Sequence, residues 1–382
     1  MKKIFENIGG DKVIWMIVLI LSFFSLLAVY SSTGTLAYHY HGGHTEYYLL
    51  KHLSILLLGL VLMYATHIVP YKYYSRIAQI LIYLSVPLLL LTLLTGTNLN
   101  EASRWLTLPV INLSFQTSDL AKLALIMYVA RLLSKKQDDI KDLKSAFLPI
   151  MLPIIITVAL ILPANFSTSA VLFATSLVIL FIGRINLKYI FSIIGIGVFL
   201  FLILIMIAKV NPNVLPRLDT WMSRIENFNN ADSEGNFQAE QAKIAISTGN
   251  FFGKMPGNSI QRNFLPHPYS DFIFAIIVEE YGMLGSSFII LLYLILLYRA
   301  VRIASNSPGT FGAFLSIGLA FSLVFQAMIN MMVAVNLLPV TGQPLPLLSM
   351  GGTSIWFTSI SIGIILSVSR ESMNKNQEDE AA

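Results

Sequence analysis

Cysteine is absent from the 382 residues, which excludes a disulfide framework and a thiolate metal site. Charge is scarce as well. Asp, Glu, Lys and Arg make up 12% of the chain, where a soluble domain carries about 25%. The net charge is only +5, and no nucleic-acid partner is expected from it. What fills the chain is apolar: 55% of residues are hydrophobic and the mean hydropathy is +0.72. This is the composition of an integral membrane protein. No cleavage-site pattern follows the first apolar run, so Val13–Tyr30 reads as a retained span rather than a signal peptide.

A membrane helix needs about 20 apolar residues. The sequence divides into ten such runs, near 13–31, 52–69, 76–95, 117–133, 146–163, 168–183, 188–208, 271–298, 311–336 and 350–369. Only Ala164–Ser167 separates the fifth from the sixth, and one bent or re-entrant element is the competing reading. With the N-terminus inside, the inner segments hold Lys2, Lys3, Lys12, Lys72, Arg76, Arg131, Lys135, Lys136, Lys141, Lys144, Arg184, Lys188, Arg299, Arg302, Arg370 and Lys375. The short outer loops hold only Lys51 and Arg104. That asymmetry places both termini in the cytoplasm. The expected fold is therefore all-α, about ten transmembrane helices with a large extracytoplasmic loop between spans seven and eight. Residues 1–370 form one polytopic domain, 209–270 its outer loop, and 371–382 a disordered cytoplasmic tail.

Polar residues stand out against this background. Asp271 opens the eighth span, with Glu279 and Glu280 further along it. Ionisable groups at such positions face a cavity or a partner rather than lipid. The bland alternative makes Ser270 or Asp271 a helix cap, which leaves His267, Tyr269, Arg262 and Lys254 on the same outer side unexplained. Glu279 reads as a buried partner for a basic group. Gly249, Gly253 and Gly257 punctuate the segment around Lys254, as a phosphate cradle would or as ordinary turns would. Asp119 and Lys122 are three apart and share a helix face. They form either a structural ion pair or a site in which Asp119 orients Lys122 toward a diphosphate. Arg104 and Trp105 sit at the outer interface, where an aromatic and a cation are ordinary, though a phosphate also suits an arginine. The run Leu337–Ser354, with three prolines and three glycines, cannot be a simple helix. At membrane depth such backbone lines a cavity or is buried in protein. Gln326 and Asn330 share a face beneath it, and an outward-facing polar cleft follows. His39, His41, His44 and Glu46 fit no closed zinc pattern and are set aside.

Five motifs in this order carry a resemblance over nearly the whole chain: "RWL", "QTSDLAKL", "STGNFFGKMPGNS", "LPHPYSDFIFAIIVEEYG" and "LLPVTGQPLPLLSMGGTS". The chain resembles the shape, elongation, division and sporulation (SEDS) family of membrane glycosyltransferases, which includes RodA and FtsW, and is more similar to the FtsW members. The resemblance implies a peptidoglycan polymerase of the bacterial cytoplasmic (inner) membrane that uses lipid II, the undecaprenyl-diphosphate-linked disaccharide-pentapeptide. It carries the family's essential aspartate onto Asp271, its acidic residue and lysine onto Asp119 and Lys122, and its Arg–Trp pair onto Arg104 and Trp105. Lys254, Arg262 and Ser349 join Arg104, Lys122 and Asp119 as candidate substrate-binding residues. Trp105, Glu279, Gln326, Asn330, Gly351 and Gly352 are candidate cleft or structural residues. Thr117 and Asp119 depart from the Pro and Glu of the family's Pro–Ser–Glu, Tyr269 from its His, and Ala164–Ser167 from its Pro–Asp–Leu–Gly, which concentrates the catalytic expectation on Asp271.

The expected reaction is inverting glycosyl transfer with Asp271 as general base. No cofactor is required by the sequence, and a divalent cation, Mg or Mn, stays open beside Arg104 and Lys122 for the diphosphate. Expected partners are lipid II, a class B penicillin-binding transpeptidase, other division proteins and membrane lipid. A lipid II flippase, an elongation-type polymerase and a non-catalytic scaffold are the alternatives.

Overall fold

The computed structural model describes residues 9–95, 97–99, 102–108, 113–210, 228 and 237–381. Twelve helices dominate the described residues. In chain order they are α1 (Lys12–Ser32), α2 (Gly34–His41), α3 (Thr45–Ile68), α4 (Tyr71–Thr95), α5 (Thr117–Lys135), α6 (Leu148–Ile161), α7 (Phe166–Ile182), α8 (Leu187–Val210), α9 (Phe237–Gly249), α10 (Ile273–Ser305), α11 (Thr310–Ala334) and α12 (Thr353–Ala381). Each of the ten apolar runs coincides with one of them. Seven are long and apolar enough to cross a membrane: α1, α3, α4, the α6 region from Leu143, α10, α11 and α12. The apolar helix α7 is shorter at 17 residues, α8 spans 24, and α5 carries Asp119, Lys122, Arg131 and Lys135.

The fifth and sixth runs are two helices, not one bent element. Asn165 caps α7 by accepting from Thr168 N at 3.2 Å, and Ser169 Oγ donates back to Val158 O on α6 at 2.9 Å. At the other end of the chain, α12 continues to Ala381. Residues 371–381 contain neither glycine nor proline to stop it.

An all-helical chain is not the whole description. A three-stranded antiparallel sheet, β1 (Thr97–Leu99), β2 (Ala102–Leu108) and β3 (Leu113–Gln116), lies between α4 and α5. Trp105 pairs with Gln116 and Leu106 with Phe115. Strands this short leave no apolar run of their own and read as loop in sequence.

Charge fixes the opposite end of the bundle. Asp11 Oδ1 caps α1 through Val13 N at 2.9 Å and Ile14 N at 3.3 Å, while its Oδ2 meets Arg299 Nη2 at 2.6 Å. One buried carboxylate thus satisfies a helix start and neutralises a cation near the end of α10.

The core lies where α5, α10, α11 and α12 meet. Outside it, α9 packs on α10 through Ala239, Ala242, Ala245 and Gly249, all buried. The turn after α9 then reaches the break in α10 at Gly282, whose φ of 66° is left-handed. Met283 N bonds Asn250 O at 3.0 Å, and Lys254 N bonds Glu279 O at 2.9 Å. A Cβ on Gly253 would collide with the Glu280 carbonyl, and one on Gly282 with the Gly253 nitrogen. Backbone lies directly on backbone here.

Candidate functional site

Asp271 sits just before α10, half-buried, with the helix beginning at Ile273 and no side-chain capping bond from Phe272. Its placement comes from three consecutive carbonyls. Tyr269 O accepts from Met350 N at 2.9 Å, Ser270 O from Ser349 Oγ at 2.7 Å, and Asp271 O from Asn330 Nδ2 at 2.8 Å. The carboxylate accepts from Ser270 Oγ at 2.9 Å through Oδ1. Its Oδ2 faces Gly342, where an added Cβ would stand 3.4 Å away. That is ordinary van der Waals contact, and it is the left-handed φ of 66° that favours glycine at 342.

The frame that holds these carbonyls is the non-helical run after α11. Its own carbonyls are satisfied one by one, as burial at membrane depth demands. Gln343 O accepts from Asn330 Nδ2 at 2.8 Å and Pro344 O from Gln326 Nε2 at 2.8 Å. Leu345 O takes Ser349 N at 2.9 Å, Pro346 O takes the Tyr293 hydroxyl, and Leu348 O takes Ser25 Oγ at 2.9 Å. Gln343 Nε2 donates to Thr168 Oγ1 on α7 at 2.7 Å. Gln326, Asn330 and Ser349 thus act on the backbone of this frame. The Gly351 carbonyl accepts from Ser354 N at 2.9 Å and starts α12.

Asp119 and Lys122 form the expected pair, at 2.8 Å, both largely buried. Lys122 Nζ also reaches Gln326 Oε1 at 3.4 Å, which ties the pair to the frame around Asp271. Asp119 Oδ2 has no partner among the described residues. The two charges line a small pocket with Ser322, Ser354, Thr358 and Ser361.

A second, wider cleft opens beside Tyr269, Met350 and Gly352. Trp105 lines it from β2, and Tyr47, Lys51 and Trp356 line it from α3 and α12. Lys51 is a cation that the loop-charge count used for topology alone, and nothing in the sequence marked Tyr47 or Trp356 for this cleft. The side chains of Arg104, His39 and His41 lie outside the described residues, as does nearly all of 211–236. Among the described residues no group of three His, Cys, Asp or Glu side chains is placed to hold a metal ion.

Lys254 and Arg262 are engaged away from Asp271. Lys254 Nζ meets Glu279 Oε1 at 2.7 Å, and Glu279 is fully buried. The same carboxylate accepts from Ile260 N and Gln261 N, each at 3.2 Å, and from Ser259 Oγ. Arg262 Nη1 donates to Ser31 O at 2.9 Å and Ser31 Oγ at 3.1 Å, and that hydroxyl donates to Glu280. The glycine-spaced run is thus a latch that lays the turn after α9 on α10 and α1. Close backbone packing uses Gly249 and Gly253, and a protein carboxylate takes the lysine.

Comparison with known proteins follows the same lines. The family model FTSW_RODA_SPOVE, described as "Cell cycle protein", matches residues 11–374. A protein of Trichlorobacter lovleyi named "Probable peptidoglycan glycosyltransferase FtsW" is 34% identical over 375 residues, covering 97% of this chain and 95% of the relative. Stage V sporulation protein E of Bacillus subtilis is 32% identical over 373 residues, covering 96% and 99%. A chain from "Structural coordination of polymerization and crosslinking by a peptidoglycan synthase complex" superposes with a TM-score of 0.70 at 26% identity, covering 95% of this chain and 98% of that one. The rod shape determining protein RodA of Thermus thermophilus shares the fold, with a TM-score of 0.69 at 23% identity and coverage of 96% and 99%. With a family model spanning nearly its whole length and relatives matched end to end, the chain belongs to the FTSW_RODA_SPOVE family of cell cycle proteins.

Proposed function

We propose that this protein is a peptidoglycan glycosyltransferase that polymerises lipid II on the outer face of the bacterial cytoplasmic membrane, with both termini inside, in septal wall synthesis. The observation that carries the reading is the immobilised Asp271. Three successive carbonyls are tied to one frame, and the carboxylate they position faces the space left by Gly342. A general base needs that fixed attitude more than it needs burial.

In the proposed step Asp271 takes the proton of the acceptor sugar's hydroxyl. The freed oxygen pair forms a bond to the anomeric carbon of the lipid-linked chain. The bond from that carbon to the diphosphate oxygen breaks, its electrons leaving with the lipid diphosphate, and the anomeric configuration inverts. Positive charge must meet the leaving group, and Lys122 and Arg104 are the proposed cations. Trp105 and Gly352 line the approach to the site. A class B penicillin-binding transpeptidase is the proposed partner, on the likeness to a chain of a complex that coordinates polymerization and crosslinking. The named relatives of FtsW type, and the synthase complex whose chain shares this fold, support both proposals.

Purified chain, its transpeptidase partner and fluorescent lipid II test the reading. Glycan ladders on a gel are the expected product. Transfer of lipid II across liposomes without ladders would replace the polymerase by a transporter.

A further inference from the structure

The run Gln343–Met350 stays in place because buried donors on three helices reach its carbonyls. One of those donors is itself held by a side chain that the site has not yet used. Ser25 Oγ, on α1, donates to Leu348 O at 2.9 Å, and His52 Nε2, on α3, stands 2.7 Å from the same hydroxyl. A hydroxyl has one proton, and the Leu348 carbonyl has none to offer, so that proton points to Leu348. Nε2 therefore carries the imidazole hydrogen and donates to Ser25. Nδ1 is left as a bare acceptor, and it has no partner among the described residues. His52, Ser25 and Leu348 are each fully buried. An imidazole with an unmatched nitrogen is costly in such a place.

The relay ends beside the site. Leu347, next to Leu348, has φ 64°, a left-handed conformation that leucine keeps only where its surroundings over-determine it. Ser349, on the other side, accepts from Leu345 N and donates to Ser270 O, both at 2.7 Å. Loosening Leu348 loosens the turn that fixes the carbonyl before Asp271.

We propose that His52 and Ser25 are positioning residues for glycosyl transfer, holding through Leu348 the left-handed turn that sets the attitude of Asp271. The proposal rests on the reading of Asp271 as the base. His52→Leu removes the donor and should lower kcat between about tenfold and a hundredfold, the scale of a small misplacement. KM for lipid II should stay within about twofold, because no substrate contact is lost. His52→Gln puts an amide N–H where Nε2–H stands and should restore kcat, an outcome that mere packing damage would not give. Ser25→Ala should match His52→Leu, and the double variant should be no worse than either. If His52→Leu does not fold, Ser25→Ala, which removes a single oxygen, carries the same test.

Amide hydrogen exchange separates this proposal from the one beneath it. Exchange at Leu345, Leu348, Ser349 and Met350 should rise in His52→Leu and stay at the wild-type level in Asp271→Asn. Wild-type exchange and kcat in His52→Leu, or an equal loss in His52→Gln, would overturn the relay. Raised exchange together with a fully active Asp271→Asn would remove the base assignment and leave the relay's hold on the turn standing.

Discussion

The Asn330 carboxamide nitrogen lies 2.8 Å from the Asp271 carbonyl and 2.8 Å from the Gln343 carbonyl. Its two hydrogens join a residue just before α10 to the run after α11, so one side chain ties the acid's backbone to its frame. Asn330→Leu leaves two carbonyls without that donor, at a cost of about 1–3 kcal/mol each. The expected outcome is a lower melting temperature in detergent and a fall in kcat larger than any change in KM. A variant with wild-type kcat would show that the bridge does not serve the chemistry.

Asp119 and Lys122 separate a structural role from a substrate role. Breaking the pair by Lys122→Met strands a buried carboxylate, which costs about 3–5 kcal/mol. The double variant Asp119→Leu, Lys122→Met removes both charges and should recover much of that stability. If Lys122 also meets the diphosphate, the double variant is folded yet polymerises poorly. Full activity in a stable double variant would reduce the pair to structure alone.

Lys254 is expected to behave in the opposite way. Its partner Glu279 is fully buried and holds two backbone nitrogens besides. Lys254→Met should lower the melting temperature and leave KM for lipid II unchanged. A raised KM with unchanged stability would return this lysine to the substrate.

Gly253 and Gly282 meet backbone to backbone, so the smallest added side chain has no room at either. Gly253→Ala should cost at least the 1–3 kcal/mol typical of overpacking, roughly, with the left-handed φ of 82° adding to it. Thermal unfolding in detergent measures this directly. A neutral Gly253→Ala would mean that the turn after α9 does not lie on the α10 break in the membrane.

The sequence was most legible where one polar residue interrupts an apolar run. Asp271, Gln326, Asn330 and the Asp119–Lys122 pair stand out because lipid tolerates them only with partners. Their local spacing already says which share a face. The helices were legible for the same reason, from run length. Lys254 and Arg262 were not, because their partners depend on the chain folding back over Gly282, a contact that local spacing does not encode. His52 was hidden for another reason. It opens an apolar run at the outer boundary, where a solvated histidine is ordinary, and only the approach of α1 and of the run after α11 reveals its bond to Ser25. The small sheet at Trp105 stayed hidden because strands of three to seven residues leave no periodic signature between two spans.

The central claim is that Asp271 removes the acceptor proton. Single-turnover polymerisation by Asp271→Asn, with lipid II binding measured in parallel, tests it most directly. Asparagine keeps the size and can still accept from Ser270, but it cannot take a proton. The account predicts a rate lower by about 10²–10⁴, the contribution of general base catalysis, with binding intact and the fold unchanged. A variant that elongates glycan at the wild-type rate would contradict it.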